Sequence, residues 1–169
     1  MIFKWQSFFE TGIKVIDQQH QTLVDLINQV APLLANPSQP DAAPVQQLLA
    51  QLFDYADMHF KTEEGLMATH GVDDSYCQHH CAVHLEFVSQ LHDWRAEMAS
   101  DATQTIGPSL LRYLTSWLTI HILDEDQRLA RQLWLLASGV NAAEAYQAAA
   151  ETDPSLEPAR SALENALNE

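Results

Sequence analysis

His59-Phe60-Lys61-Thr62-Glu63 is the stretch from which the fold can be read. A histidine and a carboxylate stand four residues apart inside an apolar-periodic segment, and at helical spacing such positions share one face. The same device recurs along the chain. His80 and His84 are four apart, His121 precedes Asp124-Glu125-Asp126, and His20 interrupts an apolar stripe upstream. Each of these places is flanked by helical periodicity, so each marks a helix that turns a polar group toward its apolar side.

Working outward, the first stripe is Ile13, Ile16, His20, Leu23, Val24, Ile27, Val30 and Leu34. It predicts a helix from Ile13 or Asp17 to the mid-30s, which Pro32 should kink or end early. The proline-rich residues 35–44 read as a loop. The second helix starts near Pro44 and runs to about Thr69, with Leu48, Leu52, Tyr55 or Ala56, His59, Glu63, Leu66 and Met67 inward; His70-Gly71 ends it. Asp74 or Ser75 caps the third, which carries His80, His84, Phe87, Val88, Leu91 and Met98 to about Ser100. Gly107-Pro108 closes the next loop. The fourth helix spans about 108–137, with Leu110, Leu111, Leu114, Trp117, Leu118, His121, Ile122, Leu129 and Leu133, and Gly139 stops it. No period-two run competes. The fold class expected is all-α: an up-down-up-down four-helix bundle over residues 1–138.

Two appendages flank the bundle. The N-terminal arm holds Phe3, Trp5, Phe8 and Phe9 and should pack along the body. Residues 139–169 form a helical extension. Asn141-Ala-Ala-Glu144 is a capping-box pattern for an Ala-rich helix to about Glu151, Asp153-Pro154 breaks it, and a short helix follows from Leu156. That extension has too few apolar anchors for a core of its own. It is expected to pack on the bundle, to form a homodimer, or to lead into a further domain.

A formal net charge of −15, from eight Lys+Arg against 23 Asp+Glu, excludes the basic surfaces that nucleic acid and anionic membranes attract. No segment has a membrane-spanning apolar run or a signal-peptide pattern, so the expectation is a soluble, cytoplasmic chain. Cys77 and Cys81 fall on neighbouring turns of one helix and read as two thiols, not a disulfide framework.

Five of the eight histidines lie on helical apolar faces. Buried imidazoles and carboxylates without partners cost a few kcal/mol each, about 1–3. So many in one core point to a ligand that offsets them. The donors are nitrogen and oxygen, with little thiolate, which favours iron, manganese or zinc. On spacing alone the last carboxylate is open. Glu125 stands four residues from His121 and shares its face better than Asp126, five away.

Ile16-Asp17-Gln18-Gln19-His20, His59-Phe60-x-x-Glu63-Glu64-x-Leu66-Met67, His80-x-x-x-His84 and Trp117-Leu118-x-x-His121-Ile122-x-x-x-Asp126 together resemble the bacterial hemerythrins over about residues 3–136. The resemblance implies a non-heme centre of two iron ions, oxo- or hydroxo-bridged, that binds dioxygen reversibly. It implies His80, His84 and His121 on one iron, His20 and His59 on the other, and Glu63 and Asp126 as bridges. The iron with two histidines then keeps an open position for dioxygen. Leu23, Trp117, Leu118 and Ile122 match the family's apolar oxygen pocket. Asp17 is expected to cap its helix or hold another group, Glu64 to be solvated or to support a ligating histidine, and His70, His79 and His92 to lie at the surface or in loops.

By the same resemblance the expected role is an oxygen or redox sensory domain of a signalling protein such as a diguanylate cyclase, with no catalytic residues of its own. The helical tail and the end at Asn168-Glu169 fit a regulatory module of a longer chain. The alternatives are a stand-alone oxygen carrier or store, and a di-iron enzyme acting on peroxide, dioxygen or nitric oxide. Ferritin-like di-iron oxidases use more carboxylate than this His-rich set, which counts against an enzyme.

Overall fold

Asp17 fixes where the first helix begins. Its carboxylate accepts from the Thr11 amide at 2.7 Å, the Thr11 hydroxyl at 2.8 Å and the Gly12 amide at 3.1 Å. Gly12 takes a φ of 79°, a left-handed turn that delivers the arm into the helix. The computed structural model describes residues 3–35, 42–99 and 103–150. Its helices are α1 (Lys14–Leu34), α2 (Ala42–His70), α3 (Asp74–Ala99), α4 (Thr103–His121), α5 (Gln127–Ala137) and α6 (Ala142–Ala149). A π-helical turn, Ile122–Asp126, joins α4 to α5, and there is no strand among the described residues. Each of α1 to α4 packs on its neighbour in sequence and α1 closes on α4, which completes the bundle. No described helix is long and apolar enough to cross a membrane.

Helix ends follow local chemistry. After α2, Gly71 has a φ of 64° and the Val72 amide donates back to the Met67 carbonyl. After α5, Gly139 has a φ of 93°, and Gly139 and Val140 donate to Leu136 and Leu135. Both are Schellman-type stops. The cap of α3 is Asp73, not Asp74 or Ser75: its carboxylate accepts from the Ser75 amide at 2.9 Å and the Tyr76 amide at 3.4 Å. Asn141 caps α6 as its pattern implies, accepting from the Glu144 amide at 3.0 Å.

Two expectations at prolines need correction. Pro32 does not end α1 early: the helix runs to Leu34, in the mid-30s as its stripe implies, with Leu34 buried and the Ala35 amide still donating to the Ala31 carbonyl. Gly107-Pro108 does not close a loop but lies inside α4, which starts at Thr103. A Cβ on Gly107 would stand 2.4 Å from the Leu34 carbonyl oxygen, so its bare backbone lets α4 lie against the end of α1. In α2 the buried row is Val45, Leu49, Leu52, Ala56, His59, Phe60, Glu63 and Met67; Leu48, Tyr55 and Leu66 are only half-buried. The helix expected from Leu156 lies outside the described residues.

The core comes in two parts. The larger includes Phe9, Leu23, Ile27, Leu52, Phe60, Phe87, Leu114 and Ile122. The smaller is Ile16, Met67, Val72, Tyr76 and Leu129. Along α1 the order is Ile16, His20, Leu23; along α2 it is Phe60, Glu63, Met67; along α3 it is Tyr76, His80 and His84, Phe87. The sense reverses from helix to helix, so a polar layer separates the two apolar parts.

Candidate metal centre

Seven fully or nearly fully buried polar side chains make that layer: His20 from α1, His59 and Glu63 from α2, His80 and His84 from α3, His121 from the end of α4 and Asp126 from the π-turn. All seven residues expected from the sequence meet here. They fall into two groups, Glu63, His80, His84 and His121 on one side and His20, His59, Glu63 and Asp126 on the other, with the donor atoms of each within 4.8 Å of one another.

The π-turn explains Asp126. In a regular α-helix a residue four ahead of His121 is turned by roughly 40° and one five ahead by about 140°. The Gln127 amide donates to the Ile122 carbonyl, a five-residue step that closes a wider turn. Asp126 thereby returns to the face of His121, and its carboxylate lies 3.1 Å from His121 Nε2. Glu125 is rotated to the rim, where it meets exposed His79 at 3.1 Å.

Each carboxylate faces both groups. Asp126 turns Oδ2 to His20 Nε2 at 3.0 Å and Oδ1 to His121. Glu63 turns Oε1 toward His59 Nε2 at 3.6 Å and Oε2 toward His80 and His84 Nε2, both at 3.2 Å. Hence every imidazole presents Nε2 to the centre.

The other ring nitrogens fix tautomers. Gln19 donates its amide N–H to Thr62 Oγ1 at 3.1 Å, so its oxygen accepts from His59 Nδ1–H at 3.0 Å. Tyr76 donates its hydroxyl to the Glu125 carbonyl at 2.6 Å, so it accepts from His80 Nδ1–H at 2.9 Å. Glu64 accepts from His84 Nδ1–H at 3.2 Å. In all three rings the Nε2 lone pair is left free, the arrangement by which outer partners orient metal-binding histidines. Gln19 and Tyr76 were not expected from the sequence. Tyr76 stands four residues before His80, a spacing that could have revealed it; Gln19 reaches across from α1 to α2, and no local pattern signals that.

The layer fits a cation. His20 Nε2, His59 Nε2, Glu63 Oε1 and both oxygens of Asp126 are buried without a hydrogen bond. His84 and His121 bring their Nε2 atoms within 3.2 Å of each other. Such orphaned atoms converging in one place are satisfied by a metal ion and by little else. Burial holds His59 well below the imidazole range, and burial with the neighbouring His80 and His121 takes His84 down to about 2, whereas Asp126 and Glu63 outweigh burial at His121 and raise it. Burial and the Asp126 charge push Glu63 up to about 8. Burial would raise Asp126 too, but His121 and His20 outweigh it and hold it below the carboxylate range.

One consequence is measurable. Metal-free Glu63 carries a proton at pH 7 and must lose it to bind a cation. Glu63 and His121 are both raised, so anaerobic loading with ferrous iron in weak buffer is expected to release protons from both at pH 7, and clearly fewer at pH 8.5, where the Glu63 proton is already mostly gone. Equal release at both values would contradict the raised Glu63.

Beside the layer lies a cavity of about 20 Å³ lined by apolar side chains, Leu23, Phe60, Trp117 and Leu118 among them. Ile122 is fully buried but is not in that lining. Phe60 stacks on His84 at 3.9 Å and Trp117 on His121 at 4.3 Å, so the cavity walls are continuous with the imidazoles.

Residues 11–133 match the model of the hemerythrin HHE cation binding domain. The chain is 33% identical over 129 residues to a bacteriohemerythrin of Stenotrophomonas maltophilia, covering 76% of this chain and 80% of that protein. It is 32% identical over 122 residues to a bacteriohemerythrin of Pseudomonas aeruginosa, covering 72% and 75%. To a hemerythrin-like protein of Naegleria gruberi it is 32% identical over 126 residues, covering 75% and 89%. With that match running through all seven residues of the buried layer, the chain belongs to the hemerythrin family.

Proposed function

We propose that this chain binds dioxygen reversibly at a two-iron centre. His80, His84 and His121 would hold one iron, His20 and His59 the other, and Glu63 and Asp126 would bridge. The observation that carries the reading is the split of each carboxylate, one oxygen to each histidine group. When bound, the irons supply the electrons and the coordination position that dioxygen needs.

The chain's own part is to hold and to exclude. Gln19, Tyr76 and Glu64 keep three Nε2 lone pairs aimed at the centre. The apolar walls of Leu23, Trp117 and Leu118 offer no acid that would drive a reduced oxygen species off as free peroxide. That favours binding over turnover.

The finer reading is an oxygen or redox sensory domain. Its support is α6, which follows the bundle, lies outside the matched residues and packs on α5; Arg131 donates to the Ala149 carbonyl at 3.0 Å. The partners this reading calls for are dioxygen and the output element the tail would serve.

The test is an anaerobic optical titration with iron counted. About two irons per chain are expected, with a visible band that appears in air and vanishes under vacuum. A single metal per chain, or a band that air bleaches irreversibly within one cycle, would overturn the proposal.

A further inference from the structure

Tyr76 is 1% exposed and bridges three elements: His80 on α3, the π-turn and α6. Its hydroxyl accepts from His80 Nδ1 and donates to the Glu125 carbonyl, in the π-turn immediately before Asp126. Its ring faces the ring of Tyr146 at 6.2 Å, and Arg128 lies over it at 5.5 Å. Tyr146 is a half-buried residue of α6, whose Ala145 and Ala149 are buried. The smaller apolar core, of which Tyr76 is a member, is the surface on which Tyr146 packs.

We infer that Tyr76 is a positioning residue that couples the metal-facing histidine His80 and the π-turn to the docking of α6, so that the extension reads the charge state of the centre. The inference rests on the two-iron reading above. A hydrogen-bond chain in a dry interior strengthens as one end is polarised. A more positive metal on His80 Nε2 makes Nδ1–H a better donor to the phenol oxygen. The phenol then becomes a better donor to the Glu125 carbonyl. The ring is held more firmly beneath Tyr146, and α6 docks more tightly in the oxidised state than in the diferrous one. Coupling between two sites is reciprocal, so loosening α6 must also change how the site holds its oxidised form.

Amide exchange of the full, iron-loaded chain tests this, compared between diferrous and oxidised samples. The amides of α6 are expected to exchange about fivefold or more slowly in the oxidised state. Tyr76→Phe keeps the ring and removes only the hydroxyl; it is expected to bind iron about 10–100-fold less tightly and, loaded with iron in excess, to lose the difference between the two states. A Tyr76 that merely packed would shift exchange equally in both. Tyr146→Ala leaves the hydroxyl bonds alone and is expected to abolish the difference as well, which decides the matter if Tyr76→Phe does not load. Identical α6 exchange in the two wild-type states, or persistence of the difference in either variant, overturns the inference. A wild-type chain that still shows the reversible optical band in that event keeps the oxygen-binding reading intact.

Discussion

Under the proposed two-iron reading, Glu63→Ala is expected to strip both irons from the chain, not one. Glu63 is the residue common to the two donor groups, with one oxygen toward His59 and the other toward His80 and His84. Losing a supporting group outside the ligands already costs about 10–100-fold in metal affinity. Losing a ligand to both metals at once should cost each more than about 100-fold. His20→Ala makes the contrast, since His20 belongs to one group only and three histidines and Glu63 survive on the other side. Iron content should fall close to zero in Glu63→Ala and to about half in His20→Ala. The stability readout has a sign of its own. Metal-free Glu63 is a buried acid whose pKa is raised to about 8, above its unfolded value. Its ionisation therefore costs the fold stability, and that cost grows as the pH rises from the ordinary carboxylate range through about 8. Removing it should leave the metal-free Tm at pH 8 unchanged or slightly higher, while the Tm of iron-treated protein falls to the metal-free value because binding no longer adds to stability. Retention of one iron per chain in Glu63→Ala would show that the carboxylate is not shared.

Much of this site was legible because most of its parts obey the α-helix. His59 with Glu63 and His80 with His84 reveal themselves by four-residue spacing, and the apolar stripes around them report which way they face. Asp126 does not obey that rule. Spacing favours Glu125 without deciding it, and only the five-residue turn over Ile122–Asp126 reverses the order; resemblance to a family pointed to the residue that periodicity ranked second. Gln19 and Gly107 were illegible for a different reason. Each acts across a helix interface, Gln19 on His59 and Gly107 on Leu34, and a one-dimensional pattern carries no trace of a contact between distant segments. The start of α4 was misread for the same cause. A Gly-Pro pair usually punctuates a helix, but here the glycine is needed by a neighbour and the proline costs one hydrogen bond that the surrounding packing outweighs.

Gly107→Ala is expected to destabilise the fold while leaving the metal layer loaded. The added methyl would stand 2.4 Å from the Leu34 oxygen and 3.2 Å from its carbonyl carbon, both backbone atoms of the last turn of α1. No rotamer change can relieve that overlap, so α1 and α4 must move apart. Alanine gains about 1 kcal/mol over glycine in a helix interior, which works in the variant's favour. Overpacking of this kind costs about 1–3 kcal/mol and here falls on rigid backbone, at the upper end or beyond. A net loss of about 2 kcal/mol should lower the Tm by roughly 4–8 °C for a chain of this length. The effect on the site should be small. Leu34 lies fourteen residues beyond His20 on α1, roughly 21 Å at the helical rise, and the larger apolar core stands between. Iron content and the visible band in air should therefore match the wild type below the lowered Tm. Gly107→Val adds bulk at the same contact and should cost more, with the iron still held. An unchanged Tm in both variants would mean that α4 does not approach the end of α1 as closely as the 2.4 Å clearance requires. A loss of iron at temperatures where the helices are intact would mean that the spacing of α1 from α4 at that end sets the reach of His20 to Asp126 at the other.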